Sequence, residues 1–176
     1  DSFKLMQSLI HHSSLAIANS ILRNQLQEMV DRDHLTKLYA RSYLDQYVEK
    51  SLKKDQSGMF LLIDIDNFKR INDTYGHQTG DKILVQIAVK LEETIGASGI
   101  CARWGGEEMS VYVPNVGEQE AIELASTIVE VIPNATDPKV TISAGLITWD
   151  QYYRPAFQAV FLHADTALYE AKNNGK

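Results

Sequence analysis

Between Gly58 and Asp64 the chain reads Met59-Phe60-Leu61-Leu62-Ile63, five apolar residues with no polar alternation. The run is too short for a helix and follows the turn-forming pair Ser57-Gly58, so it reads as a strand that is apolar on both faces. Such a strand is stable only where other elements cover both of its sides. That demands a layered domain in which helices pack on a sheet. The 176 residues suffice for one domain with an appendage. With 44% hydrophobic and 23% charged residues, the composition supports a packed core and argues against a disordered or fibrous chain.

The spacing of apolar residues predicts the remaining elements. A helix over 41–54 carries Leu44, Tyr47, Val48 and Leu52 on one face, and 66–75 reads as a short helix or turn ending at Gly76. A long helix over 80–95 turns Ile83, Leu84, Ile87, Ala88, Leu91 and Ile95 inward. Ile100–Trp104 and Met109–Val113 read as two strands joined by Gly105-Gly106-Glu107-Glu108, a hairpin signal. A helix over 117–132, a strand over 140–149 and a helix over 155–173 complete the order. Hairpins mixed with crossovers predict an α/β (α+β) fold, a mostly antiparallel mixed sheet flanked by helices.

Residues 1–32 contain neither Gly nor Pro, and Leu15, Ala18, Leu22, Leu26 and Met29 recur at gaps of three and four. This is close to the repeat of a coiled-coil seam and predicts a protruding N-terminal helix that pairs with its twin or joins an upstream domain. A packed first helix of the domain is the other reading. The chain opens at Asp1 rather than Met, as a fragment of a longer protein would.

The 17 Lys+Arg against 23 Asp+Glu give a net charge of −6. An acidic chain is poorly suited to nucleic acid or to an anionic membrane, so neither is expected as a partner. It leaves room for a small phosphate ligand held by a few local donors or a metal. A single cysteine, Cys101, excludes an internal disulfide and fits a reducing, cytoplasmic setting. No run of about 18 apolar residues or signal peptide is present.

Two acidic clusters carry the candidate chemistry. Asp64-Ile65-Asp66 closes the apolar strand, and Glu107-Glu108 sits on the Gly-Gly turn. If those strands are neighbours, the carboxylates converge at one rim of the sheet. Converging carboxylates need a compensating charge. An all-oxygen ligand set selects a hard cation, Mg²⁺ or Mn²⁺, which can activate an attacking oxygen and stabilise a phosphoryl group. Each cluster taken alone could equally be a solvated strand end or turn. The glycine pair adds weight, because two glycines serve either backbone shape or the close approach of a ligand. Asn72 and Asp81 offer a donor–acceptor set suited to guanine, although Asp81 would also serve as a helix N-cap, Asn72 as a turn residue and His77 as a surface histidine.

These residues resemble the GGDEF family of diguanylate cyclases, from Asp33 to Lys176. The name motif stands as Gly105-Gly106-Glu107-Glu108-Met109 after Arg103-Trp104. Asp33-x-Leu35-Thr36, Asp64-x-Asp66-x-Phe68-Lys69-x-x-Asn72-Asp73, Gly76-His77-x-x-Gly80-Asp81 and Ala167-Leu168-Tyr169-x-Ala171-Lys172 match four further family motifs, in the family's order. The resemblance implies a nucleotidyl-cyclase-like palm at 33–176, preceded by a signalling helix at 1–32 that ends an upstream, GAF-type sensory domain. It implies that two GTP are condensed into cyclic di-GMP and pyrophosphate across a homodimer, with two divalent ions per GTP. Asp64, the Ile65 carbonyl and Glu107 would hold metal, and Glu107 would help deprotonate the ribose 3′-hydroxyl. Asn72 and Asp81, with His77 beside them, would read guanine. Phe68, Lys69, Gly105 and Gly106 would meet the substrate, Lys172 would reach the terminal phosphates, and Glu108, Lys176 and Arg103 are further candidates. The alternative within the family is an inactive module that binds GTP or cyclic di-GMP.

The departures are specific. Met109 replaces the usual Phe at a position expected to face the core, and Glu107 stands for Asp. Lys37 and Ala40 replace a usual Gly and Asn, and Lys176 replaces Arg. Where many members carry Arg-x-x-Asp as a product-inhibition site, this chain reads Gly96-Ala97-Ser98-Gly99, so inhibition through that site is expected to be absent.

Overall fold

The computed structural model describes residues 1–54 and 57–175, with side chains described for all of these except 27–30. The chain divides into two compact units, Asp1–Arg32 and Asp33–Lys176.

The first unit is one helix, α1 (Ser2–Val30). Leu15 and Leu22 of the candidate seam are half exposed, Leu26 more so, and so are Phe3, Met6, Ile10, Ile17 and Ile21 on other sides of the helix. Met29 of that seam lies outside the described side chains.

The second unit runs β1 (Tyr39–Ala40), α2 (Arg41–Lys54), β2 (Gly58–Ile65), α3 (Phe68–Tyr75), α4 (His77–Ile95), β3 (Ile100–Arg103), β4 (Glu108–Pro114), α5 (Glu118–Ala135), β5 (Ile142–Trp149) and α6 (Phe157–Asn174), with a 3₁₀ turn at Gly96–Ser98. The sheet order is β1-β3-β4-β2-β5. Among the described residues only β1 and β3 are parallel, and the other pairs are antiparallel. β2 is buried along its whole length, as its unbroken apolar run requires. Met59, Leu61, Ile63 and Ile65 enter one core with residues of α4 and α5. Phe60 and Leu62 enter the other with residues of α2 and α6. Met109 is 1% exposed in the first core. Burial of Cys101, with the Glu92 charge beside it, pushes its thiol up to about 12, so it stays protonated at neutral pH.

The structure corrects two sequence expectations, bears out the break expected at Gly76 and adds a strand the sequence did not predict. β2 extends through Asp64 and Ile65 rather than ending before them. α4 begins at His77, so Asp81 lies inside the helix and is not its N-cap. The break between α3 and α4 falls at Gly76, whose φ of 90° suits glycine, and its N–H donates to Asn72 O at 2.8 Å. β1 is two residues long and too short to show any periodicity.

Candidate functional site

Sheet register gathers the acids. Asp64 at the end of β2 stands opposite Glu108 at the start of β4 and opposite Ser143 of β5. Directly opposed residues hold their Cβ atoms about 4.5–5.5 Å apart, so the Asp64 and Glu107-Glu108 stretches meet at one rim, on the face covered by α2 and α6. Asp66 takes no part in this cluster. It is buried and accepts hydrogen bonds from Thr141 Oγ1 at 2.7 Å and Ser143 Oγ at 2.6 Å, which makes it a brace between β2 and β5.

Asp64 is 5% exposed. One carboxylate oxygen, Oδ2, is paired with the Lys172 ammonium of α6. The other, Oδ1, is buried with no hydrogen-bond partner among the described residues. A buried carboxylate oxygen left without a partner carries the full cost of its desolvation, and the usual remedies are a proton, a donor or a cation. Among the described residues no group of three or more His, Cys, Asp or Glu side chains is assembled around it as a ready-made metal cage. Glu107 is half-buried on the turn. Burial, then the negative charges of Asp165 and Glu107, push the Glu108 carboxyl up, and Arg41 opposes them.

The hairpin itself is clamped. Trp104 N and Gly105 N both donate to Glu108 O, at 2.9 and 3.2 Å. The Arg103 guanidinium donates to Gly105 O at 3.3 Å and Gly106 O at 2.8 Å, and reaches both carboxylate oxygens of Asp33 at 3.2 and 3.4 Å. Arg41 lies 3.8 Å over the Trp104 ring. Neither Gly105 nor Gly106 has a positive φ, and a Cβ on Gly106 would meet nothing within 4 Å. Neither a positive φ nor internal crowding therefore requires glycine at Gly106.

A second group forms where α3 crosses α4. Asn72 Oδ1 is buried and without a hydrogen-bond partner among the described residues. It lies so close to Gly80 that any Cβ there would overlap it, and Phe68 is buried beside it. Asp81 and His77 are exposed on the first turns of α4, and Lys69 is exposed on α3. The Ile65 side chain is buried in the core, so only its backbone is available for a ligand role. Lys176 lies outside the described residues. The 96–99 window is a turn without an ionisable side chain.

A family profile described as "Diguanylate cyclase, GGDEF domain" matches residues 30–176. The chain belongs to the GGDEF family. This GGDEF chain is 46% identical, over its full length, to the uncharacterized protein YtrP of Bacillus subtilis (strain 168), of which it spans 30%. It is 37% identical over 173 residues to the probable diguanylate cyclase DgcF of Escherichia coli (strain K12), covering 93% of this chain and 55% of DgcF. Among solved structures, the coiled coil and GGDEF domain of DgcB from Caulobacter crescentus, in complex with c-di-GMP, shares the fold with a TM-score of 0.82 at 22% identity, covering 98% of this chain and 96% of that one. No helix among the described residues of this GGDEF chain is long and apolar enough to cross a membrane.

Sequence reasoning missed the Asp33–Arg103 clamp, the Arg41–Trp104 stack and Asp165, because nothing local marks partners some 60–70 residues apart. The clamp has a pH signature. Burial works against ionisation of Asp33, but the Thr36 backbone N–H and hydroxyl and the Arg103 charge outweigh it and hold the carboxyl below its ordinary value. A lowered carboxyl stabilises the fold above its unfolded pKa, and that stability is lost as pH falls through the folded pKa. Asp33→Asn is therefore expected to cost roughly 1.5–3 kcal/mol at pH 7, as loss of hydrogen bonds to a charged group does. In thermal melts the gap from wild type should close as the pH drops below the ordinary Asp value of 3.8.

Proposed function

We propose that this GGDEF domain, residues 33–176, is a diguanylate cyclase that condenses two GTP into cyclic di-GMP and pyrophosphate. The observation that carries the reading is Asp64, a buried carboxylate at the rim of the sheet with one oxygen unpartnered, facing the Glu107-Glu108 turn across the β2–β4 register. The donor set is all oxygen, which fits Mg²⁺ or Mn²⁺, and such ions are general in GGDEF diguanylate cyclases. Asp64, the Ile65 carbonyl and Glu107 would hold it, and when bound the cation supplies positive charge at the reacting phosphoryl group and lowers the pKa of the attacking hydroxyl.

The chain's own residues do the rest. Glu107, on an open turn, accepts the proton of the ribose 3′-hydroxyl. Gly105 and Gly106 let the nucleotide approach the backbone. The Lys172 ammonium balances Asp64 and is available to the terminal phosphates, with Phe68, Lys69 and the α3 turn beside them. Asn72 and Asp81 read the guanine edge, and His77 flanks it. Each protomer of a homodimer presents one GTP to the other, so dimerisation supplies the positioning that phosphoryl transfer needs. Residues 1–32 are the signalling helix that brings two such domains together under an upstream sensory domain, in the cytoplasm.

Incubating the chain with GTP and Mg²⁺ and separating the nucleotides should yield cyclic di-GMP, with ATP left unconsumed. Activity per molecule should rise with protein concentration until the dimer is saturated. GTP binding without product at any concentration overturns the reading.

Guanine reading by Asn72 has its own test. Gly80 sits in helical backbone, so Gly80→Ala gains up to about 1 kcal/mol of helix propensity while forcing the Asn72 amide aside. GTP affinity measured calorimetrically is expected to fall at least about tenfold, worth about 1.4 kcal/mol, while the thermal midpoint is largely kept. Unchanged affinity would remove Asn72 from the site.

A further inference from the structure

The sheet ends on β5, and among the described residues no strand lies beyond it. Asp66 N donates to Thr141 O at 2.9 Å, and the register continues Ile65↔Ile142, Asp64↔Ser143, Leu62↔Gly145 and Phe60↔Ile147. Hydrogen-bonded and non-bonded pairs alternate along an antiparallel ladder, so Ser143, Gly145 and Ile147 exchange their bonds with β2. The N–H and C=O groups of Ile142, Ala144, Leu146 and Thr148 then point away from the sheet, along its outer edge.

Edge strands of this length are normally blunted by charge, proline or a bulge. Ile142–Trp149 contains no charged residue and no proline. Beside it, Ala144 and Leu146 share with Ala125 and Val129 of α5 a shallow, mainly apolar cavity of about 350 Å³, with Glu130 on its rim. Ile122 and Val129 of α5 are 43% and 39% exposed. α5 carries Glu118, Glu120, Glu123 and Glu130 and no Lys or Arg.

We propose that the β5 edge docks an extended segment of a partner protein as a sixth strand, the segment carrying apolar residues flanked by Lys or Arg. Three observations select that occupant. The outward backbone groups of Ala144 and Leu146 fit a strand. Side chains of a docked strand directly opposite those residues lie on the same face, over the apolar cavity. The acidic, lysine-free α5 complements basic residues at the ends of the segment. The backbone bonds give affinity, and the cavity and charges give selectivity.

The probe is a labelled heptapeptide, Lys-Thr-Val-Thr-Leu-Thr-Lys, titrated into the full chain at low salt, with Glu-Thr-Val-Thr-Leu-Thr-Glu as the comparison. The basic peptide is expected to bind at least tenfold tighter and to slow amide exchange at Ala144 and Leu146. N-methylation of the peptide's valine should abolish binding, while N-methylation of its central threonine should not. The exposed double variant Glu123→Lys/Glu130→Lys, checked for an unchanged circular dichroism spectrum, should reverse the charge preference. Equal binding of both peptides, protection elsewhere on the chain, or indifference to valine methylation overturns the proposal. So does concentration-dependent self-association that Glu130→Lys abolishes while neither peptide binds, which would give the edge to a second copy of this chain. None of these readouts uses GTP turnover, so the proposal stands or falls apart from the cyclase reading.

Discussion

Glu107→Gln is expected to abolish cyclic di-GMP synthesis while leaving the fold intact. Glu107 sits on the hairpin turn and makes no hydrogen bond or ion pair among the described residues. An isosteric change at such a place costs the fold within about 0.5 kcal/mol. It also removes one of the negative charges that push the Glu108 carboxyl up, so any small stability change should favour the variant. The chemistry has no such tolerance. An amide neither accepts the 3′-hydroxyl proton nor offers a charged oxygen to a hard cation, and loss of a positioned base alone costs roughly 10²–10⁴ in rate. Product formation should fall at least about 100-fold, with GTP still bound. Asp64→Asn should lose activity as well, but it also breaks the pair with Lys172 and lowers the melting temperature. If Glu107→Gln retains wild-type turnover, the cyclase account of the hairpin fails.

A large stability loss is expected from Gly145→Ala. Gly145 is buried in β5, and a Cβ there would overlap Ala164 O and Leu168 N of α6. Both are helix backbone atoms and cannot swing aside as a side chain would. α6 has to lift off the sheet, and overpacking of this kind costs about 1–3 kcal/mol or more. For a domain of this size the melting temperature should drop by roughly 5–10 °C. Lys172 rides on α6, so its pairing with Asp64 weakens with the same shift and activity falls too. Gly106→Ala provides the contrast. Its Cβ meets nothing, so the melt should match wild type, while turnover should fall if the nucleotide approaches there as proposed. A Gly145→Ala protein as stable as the parent would mean that α6 can move without cost.

Much of this was legible in the chain. Five apolar residues in a row could only be a central strand, and β2 is buried end to end. The 3–4 spacing of α2 and α4 placed their inward faces because a helix repeats every 3.6 residues whatever it packs against. The Asp64 and Glu107-Glu108 stretches were legible as acids at strand ends, yet their meeting depended on β4 pairing with β2. Asp66 looked like a third member of the cluster and instead braces β5 through Thr141 and Ser143, a choice made by side chains 75 and 77 residues away. The start of α4 was misplaced because Gly80 reads locally as a turn, whereas its lack of a Cβ is what admits the Asn72 amide.

Local periodicity, turn chemistry and composition depend on near neighbours alone, so the sequence by itself determined the helices, the central strand, the hairpin and the acidic stretches that mark the family. Tertiary structure decided which carboxylate is braced and which keeps an unpartnered oxygen, that Arg103 ties the Gly-Gly turn to Asp33, and that Gly145 lets α6 bring Lys172 to Asp64. Those are properties of contacts between distant segments, set by strand order and register, and no short stretch of chain contains them.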